Sequence, residues 1–80
     1  MESKKLFLSN IPTWTEQTSL ERIFSAYGDI VDVEIARNRV TNEALGYAII
    51  TYFSPQAAER ALEKDGKVIG GKIVGVKLVD

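Results

Sequence analysis

A chain of 80 residues, 45% hydrophobic and 26% charged, has room for one compact folding unit, here a single domain over 1–80, which must commit most of its aliphatic side chains to one core. With no cysteine and no histidine, it excludes disulfides, thiol nucleophiles, imidazole acid–base chemistry and the usual zinc ligand sets. Ten Lys and Arg against eleven Asp and Glu leave a net charge of −1, which is not the basic footprint of a dedicated phosphate binder.

Met1-Glu2-Ser3-Lys4-Lys5 carries no signal-peptide core, and no apolar run approaches the roughly 18 residues of a membrane span. The expectation is a soluble intracellular protein of the nucleus or cytoplasm, with no membrane partner. Lys5 to Ser9 reads as a first strand, ended by the turn residues Asn10-Ile11-Pro12. Successive side chains of a strand point to opposite faces, so Leu6 and Leu8 share one side and Phe7 and Ser9 the other. In the connection that follows, Asn10 is expected to hold the turn through the backbone and Trp14 to pack, with capping of the sheet edge or contact with a ligand as its other readings. Leu20, Ile23, Phe24 and Tyr27 recur at i, i+3, i+4 and i+7, which predicts a helix over about residues 17–27. Thr18 with Glu21 fits a capping box, Thr15 is a competing start, and Gly28 falls where a C-terminal cap belongs. Ile30 to Arg37 then reads as a strand with Val33 and Ile35 inward and Asp32, Glu34 and Ala36 on the opposite face. Arg37 to Ala44 is a polar connection long enough to move and to grip a ligand.

Leu45 to Tyr52 alternates again: Gly46, Ala48, Ile50 and Tyr52 share one face, and Leu45, Tyr47, Ile49 and Thr51 the other. Ser54-Pro55 is a helix start with serine as cap and proline at the first helical position. Ala57, Ala58, Ala61 and Leu62 give that helix a small apolar face able to lie close to a sheet, and Gly66 ends the segment. Val68-Ile69 and Lys72-Ile73 flank Gly70-Gly71, a pair that tolerates the positive φ angles of a two-residue hairpin turn. In the last strand Val74, Val76 and Leu78 alternate with Gly75, Lys77 and Val79. The order βαββαβ predicts an α+β, ferredoxin-like sandwich: an antiparallel four-stranded sheet in spatial order 4-1-3-2, with both helices on one face and the other open. Leu6, Leu8, Leu20, Phe24, Ile35, Ile50, Leu62 and Val76 are the expected core. Phe7 and Tyr47 are then left on the open face of two strands that can lie side by side. That is where bases of a single-stranded nucleic acid would stack.

Two stretches carry a family likeness. Leu6-Phe7-Leu8-Ser9-Asn10-Ile11 follows the order aliphatic, aromatic, aliphatic, any residue, asparagine, aliphatic, and Leu45 to Tyr52 supplies an octamer on the third strand. With Pro12, Leu20, Phe24, Gly28, Ile30, Ala58 to Leu62, Asp65-Gly66 and Gly71-Lys72, the whole chain resembles an RNA-recognition motif, most like the first such motif of poly(A)-binding proteins. The resemblance implies a monomeric, non-enzymatic domain without cofactor or metal that binds short single-stranded RNA on the open sheet with weak to moderate affinity. It implies stacking on Phe7 and Tyr47, apolar contact of Ile49 with sugar, phosphate partners in Lys5, Arg37, Arg39 and Lys77, and a place for Asn10 at the site. Three positions depart from the pattern: Leu45 stands where a phosphate-pairing Lys or Arg is usual, Ile49 where an aromatic is usual, and Glu34 on the sheet face where relatives carry basic or neutral side chains. Losing one stacking ring removes about 1–3 kcal/mol.

Other readings use the same residues. Phe7, Leu45, Ile49 and Val79 form an apolar patch suited to a protein or peptide partner, and a redesigned scaffold kept for its fold would show the same substitutions. Acylphosphatase-type hydrolysis on this topology needs a glycine-rich loop with an arginine after the first strand, which Ser9 to Thr13 lacks. Metal carriers of this fold need paired cysteines, which are absent.

Overall fold

The computed structural model describes residues 3–79. Its elements in chain order are β1 (Lys5–Ser9), α1 (Gln17–Phe24) running into a 3₁₀ turn (Ser25–Tyr27), β2 (Ile30–Arg37), β3 (Ala44–Tyr52), α2 (Pro55–Arg60) running into a second 3₁₀ turn (Ala61–Lys64), β4 (Val68–Ile69), β5 (Lys72–Ile73) and β6 (Gly75–Val79). The main sheet has the order β2-β3-β1-β6 with every pair antiparallel, which is the 4-1-3-2 order expected, β6 being the fourth long strand. β4 and β5 form the separate hairpin, whose Gly70 and Gly71 take φ of 59° and 86° as a primed two-residue turn requires.

The strand alternation sorts side chains as the sequence indicates. Leu6, Leu8, Val33, Ala48, Ile50, Tyr52 and Val76 from the sheet meet Leu20, Phe24, Ala57, Ala58 and Ala61 from the helical layer in one buried cluster. The helices lie close because their facing residues are small. A Cβ on Gly28, whose φ is 151°, would stand 2.5 Å from the Cβ of Ala57, so only glycine lets the end of the first helical segment meet the start of α2. The Tyr52 hydroxyl donates to the Phe24 carbonyl (2.7 Å), and Arg60 Nη2 donates to the Tyr27 carbonyl (3.1 Å), which satisfies acceptors that a helix end leaves free. Burial, reinforced by Tyr27, pushes the Tyr52 hydroxyl well above the ordinary tyrosine pKa.

Several local expectations are corrected. The first helix starts at Gln17, its cap two residues before Thr18: Glu16 is the N-cap, in extended conformation and without a side-chain cap, and its carbonyl accepts from Ser19 and Leu20 N–H. Thr15 is instead buried, its N–H donating to the Pro12 carbonyl at 3.1 Å. Ile35 and Leu62 are half-buried, and Leu78 is 38% exposed, because they sit at the sheet margins or in the terminal turn, where two short helices give less cover. Trp14 is not packed away but 69% exposed, beside the Gly70 turn that presses on Pro12.

The two sheet edges differ. At the start of β6 the segment after the second helix covers the edge: Val76 N–H donates to Asp65 Oδ1 (2.9 Å), Gly66 N–H to the Val74 carbonyl (2.9 Å) and Val74 N–H to the Lys67 carbonyl (2.9 Å). β2 pairs only with β3, and its outer edge meets no strand among the described residues.

Candidate nucleic-acid interface

The face of the sheet away from the helices is built from register. Phe7 lies opposite Ile49 on β3 and Lys77 on β6, and Ile49 lies opposite Glu34 on β2, so one row across the sheet reads Glu34, Ile49, Phe7, Lys77. The next row reads Asp32, Thr51, Lys5, Val79, and on the other side Tyr47, Ser9 and Gly75 align. Phe7 and Tyr47 are therefore diagonal neighbours on adjacent strands, with ring centroids 5.7 Å apart and planes tilted by 36°. Tyr47 is 40% exposed and Phe7 half-buried, since Lys77 lays its ammonium 5.4 Å from the Phe7 ring centre as a cation–π cap. Beside Tyr47 the floor is low: Gly75 has no side chain, and a Cβ there would fall 2.5 Å from Ser9 Oγ.

Charge is divided across this face although the chain is nearly neutral. Asp32 and Glu34 line the β2 side, while Lys77 and Lys5 line β6 and β1. Arg37 is further along β2, opposite Ala44, with Nη1 donating to the Asn42 carbonyl at 3.4 Å. Arg39 sits in the β2–β3 turn, and Arg37 lines a cleft with Thr13, Asn42, Glu43 and Ala44 that does not include the aromatic pair. That connection is more ordered than a loose loop: Asn38 Oδ1 accepts from Val40 and Thr41 N–H (2.8 and 3.1 Å), Asn38 N–H donates to the Glu43 carbonyl (2.8 Å), and Asn42 takes a φ of 64°. Asn10, with φ 59°, donates from Nδ2 to the Ile73 carbonyl (2.8 Å), tying the end of β1 to the hairpin and leaving its side-chain oxygen and second Nδ2 hydrogen for a ligand. Leu45 continues the apolar side of the face and is 48% exposed. Alternation found every residue of the aromatic pair and its rim. The low floor at Ser9 and Gly75 escaped it, because which glycine faces which serine depends on register between strands distant in sequence. No group of three or more potential metal ligands is found among the described residues, and no helix among them is long and apolar enough to cross a membrane.

The family model described as the RNA recognition motif matches residues 6–75, a span that includes both strand motifs. This chain belongs to the RNA recognition motif family. Among its relatives, the motif is 34% identical over 76 residues to "Glycine-rich RNA-binding protein 5, mitochondrial" of Arabidopsis thaliana, covering 95% of this chain and 26% of that protein. It is 32% identical over 77 residues to "Organelle RRM domain-containing protein 1, chloroplastic" of the same plant, covering 95% of this chain and 21% of the relative. The chain thus spans about a quarter of the length of the curated relatives it matches. A solved structure titled "Structure of RNA15 RRM" superposes with a TM-score of 0.94 at 17% identity, over 100% of this chain and 93% of that one, and shows the fold. Neither plant relative is named as a poly(A)-binding protein, so that finer likeness draws no support from them.

Proposed function

We propose that this RNA recognition motif binds short single-stranded RNA on its open sheet face, as a binding module rather than an enzyme. The observation that carries the reading is the tilted pair Phe7 and Tyr47, held on adjacent strands away from the core with lysines on one flank. Each ring offers a stacking surface worth about 1–3 kcal/mol per base. Ile49 lies beneath the path between them and contributes apolar contact with sugar, while Lys77 and Lys5 receive phosphates and Arg37 and Arg39 extend that track toward the β2–β3 turn. Lys77 leaves the Phe7 ring when a base takes its place. The acids on β2 repel the phosphodiester backbone and lower affinity, since salt screens exposed charges only beyond about 10 Å at 0.1 M.

The name "Glycine-rich RNA-binding protein 5" supports the same substrate class. Names that place relatives in mitochondria and chloroplasts support an intracellular setting, while nucleus or cytoplasm draws no support from them. The test is a titration of the domain with short poly(A), poly(U) and mixed oligonucleotides over a range of salt. Saturable binding that weakens with salt is expected; no binding at low salt overturns the reading and turns attention to a protein partner on the apolar part of the face.

A further inference from the structure

The platform ends on its β2 side in the carboxylate of Glu34. Glu34 is exposed, and the carboxylates that accept side-chain or backbone hydrogen bonds among the described residues are those of Glu63 and Asp65. It stands in the same row as Phe7, with only Ile49 between them. Neighbouring strands lie about 4.8 Å apart, so the Glu34 backbone is two spacings, about 10 Å, from that of Phe7. A base stacked on Phe7, with its sugar drawn toward Lys77, extends over Ile49 and points its far edge at Glu34. Ile49 offers no polar group, so the first partner that edge meets is the carboxylate.

An ionised carboxylate only accepts hydrogen bonds, through two oxygens set side by side. Single-stranded RNA exposes the Watson–Crick edges of its bases. Guanine alone presents two adjacent donors there, its ring N1–H and its 2-amino group. Adenine and cytosine present one amino group beside an accepting ring nitrogen, and uracil one N–H between two carbonyls, which a carboxylate repels. We infer that Glu34 is a specificity-determining residue that selects guanine for the base stacked on Phe7, an inference that rests on the RNA-binding reading above. The same charge weakens binding of every other sequence by repelling the backbone, so selectivity here comes from rejection as well as attraction.

The experiment is fluorescence anisotropy with U-rich oligonucleotides carrying one central guanosine, inosine or adenosine, or none. Guanosine is expected to tighten binding about tenfold or more, the worth of a good bidentate pair. Inosine, which lacks the 2-amino group, is expected to lose most of that gain. Glu34→Gln, with one acceptor and one donor in place of two acceptors, is expected to erase the guanosine preference while tightening the all-uridine oligonucleotide. Asp32→Asn removes an equal charge one row away, opposite Thr51, and is expected to keep the preference. Equal affinity for all four oligonucleotides, or a preference that survives Glu34→Gln, overturns the inference while leaving RNA binding in place. Absence of binding to any of them at low salt overturns the RNA-binding reading itself, and this inference with it.

Discussion

Phe7 is fenced by Ile49 on one strand, Lys77 on the other and Tyr47 on the diagonal, yet none of these joins the buried cluster. Truncating the pair should therefore injure binding far more than folding. Phe7→Ala with Tyr47→Ala is expected to leave a cooperatively folding domain by circular dichroism and urea melting. Its RNA affinity should fall by about 2–6 kcal/mol, the worth of two stacked bases, to below detection in a titration. Tyr52 is the opposite case, an aromatic whose hydroxyl works inside the fold. Its pKa is raised by burial above the ordinary 10.0, so the folded state holds its proton more tightly than the unfolded chain does. The stability this gives is fully present below that ordinary value and is lost as pH rises through the folded one. Thermal melts should accordingly show the melting temperature falling above about pH 10, as Tyr27, raised by burial and its bond to Glu63, adds a change of the same sign. Tyr52→Phe should flatten that fall and cost about 0.5–1.5 kcal/mol at neutral pH, the net worth of its bond to the Phe24 carbonyl. The placement of Phe7 and Tyr47 on the open face was legible because strand parity alone separates them from Leu6 and Leu8. Trp14 was not, since a side chain in a connection has no periodicity to sort it.

At the scale of elements, local chemistry reads well where a side chain does the work. Ser54 Oγ accepts from the Ala57 N–H at 3.3 Å and Pro55 follows it, as the sequence indicates. Because α2 has only six residues, one cap is a large share of what holds it, and Ser54→Ala is expected to lower stability by about 0.5–2 kcal/mol in urea unfolding without altering RNA binding. The hairpin was equally legible, two glycines being the signature of its turn. The start of α1 was not. Glu16 caps it with the backbone alone, and the capping-box pattern at Thr18 and Glu21 lies inside the helix that it would have begun. The β2–β3 connection shows the same limit, for its order comes from Asn38 bonding along the chain, and a polar composition does not distinguish a tied turn from a free one.

Across the whole molecule, strand order followed from the βαββαβ sequence of elements, but the partition of charge did not, because a net −1 hides acids on one side of a face and lysines on the other. That partition is measurable. Glu34→Arg is expected to tighten RNA binding and to steepen the dependence of log affinity on log salt by about 0.7, the release of one further counterion from a single strand; an unchanged slope would place the backbone away from β2. The unequal edges of the sheet have a separate consequence, for self-assembly. With the Val74–Val76 end of β6 covered by Asp65 to Lys67, β2 is the longer edge left to accept another strand among the described residues, and a β2-to-β2 pairing uses up that edge of both copies. Such a pair is two-fold and closed, so addition through β2 ends at a dimer. The exposed Asp32 and Glu34 of each copy would face like charges across even that seam, which keeps the remaining edge solvated and the domain resistant to polymerisation through its sheet.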